Sequence, residues 1–374
     1  MEYRTLGKTG IRVSVLGFGA MRLPVTGQPH EVDEDATIDM LRYAIDQGVN
    51  YIDSAYVYHD GHSEIVIGKA LQDGYRAKTY VATKCPVWMV DQTADFDRLL
   101  NEQLARLQTD HIDFYLLHCL QQGNWPRMQQ MDVASWAERA QRDGRIGQFG
   151  FSFHDSFSVF QDIVDAYDWG FCQIQYNLVN ENVQAGTAGL KYAAAKGLGV
   201  VIMEPLFGGT LANPPDAVRQ LWEEAGYQPV PVALRWVWDR PEVSLVLSGM
   251  STRAQVEQNI ETAREAGVGR LTDGERAVIR RVQEKYEELS PIPCTKCGYC
   301  LPCPHGVDIP VNFELYNEAT VFQGSSVVLC RNLYHGLPES QRAAACAACH
   351  TCEDRCPQKI EISRLMGEVG KHFA

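Results

Sequence analysis

The sequence lacks three features that would each point to a definite class of protein. Its 374 residues contain no uninterrupted apolar run of about eighteen residues, and the first residues hold no apolar signal core. No basic stripe offsets the formal net charge of −13, so the chain repels polyphosphate backbones. We therefore expect a cytoplasmic protein that binds neither membranes nor nucleic acid.

Short apolar runs alternate with helical segments from the N-terminus to about residue 265, which indicates an α/β fold. Strands are predicted near residues 15–18, 50–54, 80–83, 112–117, 146–151, 172–175, 200–203 and 243–247. Because parallel strands need helical crossovers and eight of them close on a packed interior, these units predict a (β/α)8 TIM barrel. The alternative is an open doubly wound sheet, but the first strand lacks the third glycine of a G-x-G-x-x-G turn.

Three further segments frame the barrel strands. Residues 5–13 predict an N-terminal hairpin that turns at Lys8–Gly10 and is suited to capping the bottom of the barrel. Residues 207–229, rich in proline and glycine, are either an active-site loop or an inert surface insertion. A helix over residues 273–289 ends at a proline-rich boundary, which predicts domains at 1–285 and 286–374.

Eight of the twelve cysteines fall in two runs within the second predicted domain. The first run begins at Cys294 and reads C-x2-C-x2-C-x2-C-P, and the second begins at Cys346 and reads C-x2-C-x2-C-x3-C-P. Since each cubane takes four thiolates, the runs predict two [4Fe–4S] clusters in a small, mostly helical iron–sulfur domain. Structural zinc is one alternative, and a single cluster is another because the first run is one residue short before its last cysteine.

This tail resembles the two-cluster bacterial ferredoxins, in which the fourth cysteine of each run ligates the cluster of the other run. The resemblance implies that one cluster is held by Cys294, Cys297, Cys300 and Cys356. It implies that the second is held by Cys346, Cys349, Cys352 and Cys303.

Polar side chains follow the apolar runs of three consecutive predicted strands. Asp53 ends the second strand and Tyr58 comes five residues later, while Lys84 and His118 end the third and fourth strands. A charge there is costly unless it faces a polar cavity, although each residue alone could also be a cap, a packing residue or a solvated side chain. Together they resemble the catalytic tetrad of the aldo-keto reductases. The signatures of that family continue at residues 48–55, 61–64, 150–152, 173–177 and 233–236.

The resemblance implies an NAD(P)H-dependent oxidoreductase that acts on a small carbonyl or alcohol substrate. Tyr58 would be the general acid and base, with its pKa lowered by the cation Lys84. Asp53 would orient Lys84, and His118 would donate a hydrogen bond to the carbonyl oxygen.

The resemblance also implies a set of cofactor-binding residues for NADP(H) or NAD(H). They are Gly19, Met21, Ser152, Gln173, Met203, Leu206, Gly208, Ser251, Arg253, Gln255 and Asn259. The chain departs from the family in three places: Phe153 replaces an Asn, Met203 replaces a stacking Tyr, and Arg253 is the only cation where the adenosine phosphate is gripped. The choice between NADP(H) and NAD(H) therefore stays open.

The two predicted domains carry different redox chemistry, since nicotinamide moves two electrons and a cubane moves one. A flavin could bridge them, but the sequence shows no flavin motif. Three interpretations follow. In the first, the barrel is a carbonyl reductase or alcohol dehydrogenase and the clusters exchange electrons with an electron-transfer protein. In the second, the clusters feed single electrons to another cofactor or substrate in the barrel. In the third, the chain is a non-catalytic redox-sensing or electron-carrier subunit.

Overall fold

The computed structural model describes residues 1–28, 30–294, 298–322 and 325–374. Its strands are β1 Tyr3–Thr5, β2 Arg12–Ser14, β3 Leu16–Gly19, β4 Tyr51–Asp53, β5 Tyr80–Pro86, β6 Ile112–Leu120, β7 Ile146–Phe153, β8 Phe171–Gln175, β9 Gly199–Met203 and β10 Leu245–Gly249. Its helices are α1 Glu34–Asp46, α2 His62–Ala70, α3 Ala94–Leu107, α4 Trp125–Gln130, α5 Val133–Arg142, α6 Phe157–Asp165, α7 Gly186–Ala195, α8 Asp216–Ala225, α9 Pro229–Trp238, α10 Arg253–Arg264, α11 Asp273–Leu289, α12 Ile309–Val321, α13 Ser325–Gly336, α14 Thr351–Arg355 and α15 Ile362–Phe373.

Strands β3 to β10 form a closed parallel barrel in chain order, with β10 paired to β3. The predicted (β/α)8 fold is confirmed, and the open doubly wound sheet is excluded. Strand β6 shows why the sequence predicted the barrel strands, because a strand buried on both faces contains a nearly continuous apolar run. Phe114 and Leu116 belong to the interior cluster, while Tyr115 packs 5.9 Å from the ring of Trp136.

The hairpin β1–β2 caps the amino-terminal end of the barrel. The strands pair antiparallel, and the Lys8 backbone N–H donates to the Gly197 carbonyl, just before β9 begins. Leu6 and Val13 are fully buried in the interior cluster. Burying a leucine side chain contributes about 1.5–3 kcal/mol, so the cap completes the core from below.

Two helices begin with capping boxes that their sequences encode. Thr252 caps α10 through the backbone N–H of Gln255, and Thr272 caps α11 through that of Glu275. Each glutamine or glutamate side chain accepts in return from the backbone of its capping threonine, so two otherwise unpaired N–H groups are satisfied. These caps fix where the two helices start.

The chain divides by its internal contacts into two units. Residues 1–205 and 230–271 form the first, and residues 206–229 and 272–374 form the second. The second unit is mainly helical, with Phe313, Met366 and Phe373 fully buried in its core and the Tyr334 ring stacked 4.6 Å from Phe373. The domain bounds 1–285 and 286–374 stay a prediction.

The second unit includes the segment that the sequence marked as a loop after β9. This segment contains a short 3-10 stretch, Phe207–Ala212, and helix α8. Within the same unit, the Phe322 ring lies 4.7 Å from Phe207 and 5.2 Å from Tyr286. Among the helices that the structure describes, none combines the length and apolarity of a membrane crossing.

Candidate active site

The four predicted catalytic residues meet at the carboxyl ends of adjacent strands. Asp53 ends β4, Lys84 lies near the end of β5, and His118 lies near the end of β6. Tyr58 begins the short 3-10 turn that follows β4. Because parallel strands present their carboxyl ends at one edge, these side chains converge although 65 residues of sequence separate Asp53 from His118.

The Lys84 ammonium is the centre of this group. Its Nζ donates to Asp53 Oδ2 and to the Ser54 carbonyl, both at 2.6 Å, and lies 3.5 Å from the Tyr58 hydroxyl. Its side chain is 1% exposed and that of Asp53 is 3% exposed. A buried ammonium needs such partners, since desolvation of an unpaired charge costs several kcal/mol.

Burial and the neighbouring charges shift the pKa values of these groups in opposite directions. Burial lowers the pKa of Lys84, but Asp53 and Tyr58 oppose it and leave that pKa above its usual value. Lys84 is therefore an ammonium at neutral pH. Burial raises the pKa of Asp53, with Lys84 opposing the rise.

The pKa of Tyr58 differs from the prediction. Burial raises the pKa of Tyr58, and Lys84 opposes this rise without reversing it. Lys84 acts on this pKa in the predicted direction, but burial has the larger effect and the net pKa lies above its usual value. Tyr58 is a neutral phenol at pH 7, which leaves its proton available for donation.

His118 is a neutral imidazole beside the tyrosine. Burial first, and then Lys84 and His154, hold the pKa of His118 well below its usual value. Its ring stands edge-on to Tyr58 at 6.1 Å and lies 5.1 Å from the ring of Trp88. Within the described residues, His118 Nδ1 is buried without a hydrogen-bond partner. Such an atom is costly unless a ligand satisfies it.

A buried polar network contacts the backbone of Lys84. Glu64 is fully buried and accepts from Thr83 Oγ1 at 2.6 Å and from Gln103 Nε2 at 2.8 Å. The same Gln103 nitrogen donates to the Lys84 carbonyl at 3.1 Å. Glu64 belongs to a family signature in the sequence, and its contacts show that it positions strand β5.

Three predicted cofactor residues lie on neighbouring strands β7, β8 and β9. The Ser152 Oγ accepts from the Cys119 backbone N–H at 2.8 Å, and its own proton has no acceptor among the described residues and can be donated to a ligand. Gln173 Nε2 donates to Met203 Sδ at 3.5 Å, and Gln173 Oε1 is buried without a partner among the described residues. A hydroxyl donor and an unpaired amide acceptor fit a primary carboxamide, which is the polar end of nicotinamide.

The remaining predicted cofactor residues surround this edge or belong to the second unit. Gly19 ends β3, where an added Cβ would lie 3.3 Å from the Ser248 carbonyl oxygen, and Met21 is 59% exposed. Gly208 has a φ of +64°, which favours glycine, and it lies with Leu206 in the second unit. Their role in cofactor binding stays a prediction.

The segment that opens α10 carries the last four. Ser251 Oγ donates to the Arg22 carbonyl at 2.7 Å, and its backbone N–H donates to Gln255 Oε1 at 2.8 Å. Arg253 binds two carboxylates on α1 and α10. Asn259 Nδ2 donates to Ser248 Oγ at 3.0 Å, while its Oδ1 is buried and unpartnered among the described residues.

Sequence reasoning missed Glu204, the residue directly after Met203. It has a φ of +55°, a left-handed conformation that is unusual for glutamate, and it lies within electrostatic range of Tyr58. Burial raises the pKa of Glu204 to about 7, with Arg22 opposing the rise. The sequence contained the signal for Glu204, because this residue is a charged side chain directly after an apolar run, as Asp53 is.

In the second unit, cysteines from the two runs come together. Cys294, Cys300 and Cys356 line one cavity with the apolar side chains of Ile309 and Phe313. Cys356 belongs to the second run, so the cavity mixes the runs as the ferredoxin resemblance implies. Cys297, the fourth predicted ligand, lies outside the described residues.

The other predicted set shows the same mixing. Burial raises the pKa of the Cys352 thiol, and Cys346 and Cys303 add to the rise, so these three lie within electrostatic range. Cys349 is exposed. Within the described ranges, no three Cys, His, Asp or Glu side chains are close enough to hold a single metal ion. A cubane spaces its ligands more widely, because each thiolate binds a different iron.

Comparison with known proteins agrees with this geometry. The Aldo/keto reductase family model matches residues 15–273, and a 4Fe-4S dicluster domain model matches residues 293–361. L-galactose dehydrogenase of Arabidopsis thaliana is 28% identical over 287 residues, covering 71% of this chain and 89% of its own. Aldo-keto reductase YhdN of Bacillus subtilis is 28% identical over 301 residues, covering 69% and 87%.

A solved structure, aldo-keto reductase AKR11C1 from Bacillus halodurans in its holo form, shares the fold with a TM-score of 0.63. It is 24% identical and covers 75% of this chain and 96% of its own. The family match and the curated relatives support an oxidoreductase built on this barrel. The chain belongs to the aldo/keto reductase family and carries a C-terminal 4Fe–4S domain.

Proposed function

We propose that the protein reduces an aldehyde or ketone, or oxidises the corresponding alcohol, with a nicotinamide cofactor and with Tyr58 as general acid and base. The observation that carries this proposal is the buried Lys84 ammonium, which is paired with Asp53 and lies 3.5 Å from the Tyr58 hydroxyl. The similarity to a dehydrogenase that acts on a sugar supports a small hydroxyl-bearing or carbonyl substrate.

Ser152, Gln173 and Met203 would hold the nicotinamide ring, and the start of α10 would hold the adenosine. Gly19 and Met21 belong to the same proposed cofactor site, and a cofactor role for Leu206 and Gly208 stays a prediction from the family resemblance. When bound, the cofactor supplies a hydride for the carbonyl carbon of the substrate.

The side chains of the protein stabilise and neutralise the negative charge that develops on the carbonyl oxygen of the substrate. Tyr58 donates its hydroxyl proton to that oxygen, and the nearby Lys84 ammonium stabilises the phenolate that remains. Asp53 keeps Lys84 charged inside the barrel mouth. Neutral His118 donates a second hydrogen bond to the same oxygen, a contact whose removal costs about 10²–10³-fold in rate in comparable sites.

We further propose two [4Fe–4S] clusters, one on Cys294, Cys297, Cys300 and Cys356 and one on Cys346, Cys349, Cys352 and Cys303. They would exchange single electrons with an electron-transfer protein. The mixing of the two runs around one cavity supports this assignment. Among the described residues, the cysteines outside the runs form no disulfide, which suits a reducing compartment such as the cytoplasm.

The test compares two tyrosines that are two residues apart. Tyr58→Phe removes the proposed acid, whereas Tyr56→Phe removes a hydroxyl that donates to Glu102 at 2.6 Å outside the tetrad. With an aldehyde and NADH or NADPH, we expect Tyr58→Phe to lose at least about 10²-fold in kcat and Tyr56→Phe to stay near the wild type. Turnover of the wild type only with a low-potential one-electron donor would favour clusters that feed another cofactor. Nucleotide binding without turnover under either condition would favour a redox-sensing subunit.

A further inference from the structure

The one cation at the start of α10 is already bound by two carboxylates. Arg253 Nη1 donates to Asp39 Oδ2 at 2.7 Å, and Arg253 Nε donates to Glu257 Oε1 at 3.0 Å. The guanidinium carbon lies 3.3 Å from the centre of the Tyr43 ring. Asp39 comes from α1 and Glu257 from the first turns of α10, so the three charged groups together carry a net negative charge.

A second observation is a buried, unpartnered hydrogen-bond acceptor on the same helix. The Asn259 side chain is 3% exposed, and its Oδ1 has no partner among the described residues. Its Nδ2 donates to Ser248 Oγ at the end of β10, which fixes the orientation of the amide. The unpaired oxygen is an acceptor that suits an N–H donor such as the exocyclic amine of adenine.

The two nicotinamide cofactors differ at the 2′ position of the adenosine ribose. NADP(H) carries a phosphate there with close to two negative charges, which requires cations, whereas NAD(H) carries a hydroxyl that can donate to a carboxylate. Between residues 248 and 259 the only Lys or Arg is Arg253. Arg22 lies nearby, but its side chain packs against Gly249 and within electrostatic range of Glu204.

We propose that Asp39 and Glu257 make this site select NAD(H) over NADP(H). The inference rests on the proposed function, because it takes the start of α10 as the adenosine end of a nicotinamide cofactor site. Both carboxylates would repel a 2′-phosphate brought to Arg253, and the same carboxylates would accept hydrogen bonds from the ribose hydroxyls. At low ionic strength this repulsion is strongest, so the preference is expected to weaken as salt is added.

The test is a direct binding titration of the full-length, anaerobically purified protein. We expect the wild type to bind NADH at least about tenfold more tightly than NADPH, and AMP more tightly than 2′,5′-ADP. In Asp39→Asn/Glu257→Gln, the Kd for NADPH should fall by about 10- to 100-fold. The Kd for NADH should rise by up to about threefold, because the amide oxygens that replace the carboxylates are weaker acceptors for the ribose hydroxyls. Asp39 and Glu257 are 69% and 53% exposed, so the variant keeps its fold, as circular dichroism would verify.

The matched control is Glu261→Gln, one turn further along α10. It removes the same charge from a carboxylate that pairs with Arg264 at 2.5 Å, and the ratio of the two Kd values should not change. Tighter binding of NADPH than NADH by the wild type would overturn the inference and leave the proposed function standing. An unchanged Kd for NADPH in the double variant would also overturn it. Binding of neither nucleotide would overturn both proposals.

Discussion

Replacing Asp53 with asparagine tests how the site keeps an ammonium inside the barrel mouth. The Lys84–Asp53 pair is almost fully buried, with 2.6 Å between Nζ and Oδ2. At an effective dielectric of about 20, two unit charges at this separation attract by on the order of 6 kcal/mol. Desolvation of both ions offsets part of this attraction, so removing one partner is expected to cost about 3 kcal/mol of unfolding free energy.

The same substitution changes where Lys84 titrates. In the wild type, the folded-state pKa of Lys84 lies above its usual value of 10.5. The stabilisation by its ammonium is therefore complete below pH 10.5 and is lost as the pH rises through the folded-state pKa. In Asp53→Asn, burial lowers the pKa of Lys84 with only Tyr58 and the Ser54 carbonyl opposing. We therefore expect kcat of this variant to show an additional decline with rising pH, at a pH where Lys84 of the wild type is still fully charged.

The assay combines urea unfolding with a pH profile of kcat. Asp113→Asn is the matched control, because Asp113 accepts from Arg76 and from the Val81 backbone N–H, both at 2.8 Å, at the opposite end of the strands. It should lose stability but keep the wild-type pH profile. If Asp53→Asn instead kept both its stability and its profile, the pairing of Lys84 with Asp53 would not be what holds the charge in place.

Three further predictions test other parts of the protein. The kcat for reduction of a neutral aldehyde should fall as the pH rises through about 7, because ionised Glu204 raises the pKa of Tyr58, and Glu204→Gln should lose this step. Cys356→Ser should lose about half of the iron and sulfide measured anaerobically, whereas Cys330→Ala in the same unit should retain both, and equal loss in both variants would contradict the ligand assignment. Leu6→Ala should destabilise the barrel by about 2–5 kcal/mol with kcat/KM unchanged, and a change in kcat/KM would show that the cap reaches the active site.

The barrel was predictable because its strands are apolar on both faces and are separated by helical repeats. Asp53, Lys84 and His118 were predictable for a related reason, since each is a costly polar residue directly after an apolar run. Glu204 obeys the same rule, but the family pattern offered no role for it.

Other properties depend on distances that no local pattern encodes. Asp39 and Arg253 are 214 residues apart in sequence, and only the closure of the barrel brings α1 beside α10. The lowering effect of Lys84 on the pKa of Tyr58 was predictable, but the net direction of that pKa depends on the balance between burial and the charge of Lys84. The amount of burial follows from the packing of the whole chain and cannot be taken from the residue types alone.

The path of the chain between its two units bears on how the protein can be cut. Residues 206–229 belong with the C-terminal part, and the chain then returns for residues 230–271. A protein truncated after residue 271 would keep Phe207 but lose Phe322, whose ring packs 4.7 Å away. It would also keep α8 but lose α11, the helix against which α8 packs. Such a fragment would expose apolar surface and tend to aggregate. Gene fusions or cluster-free versions should therefore keep the whole polypeptide and remove cysteines instead.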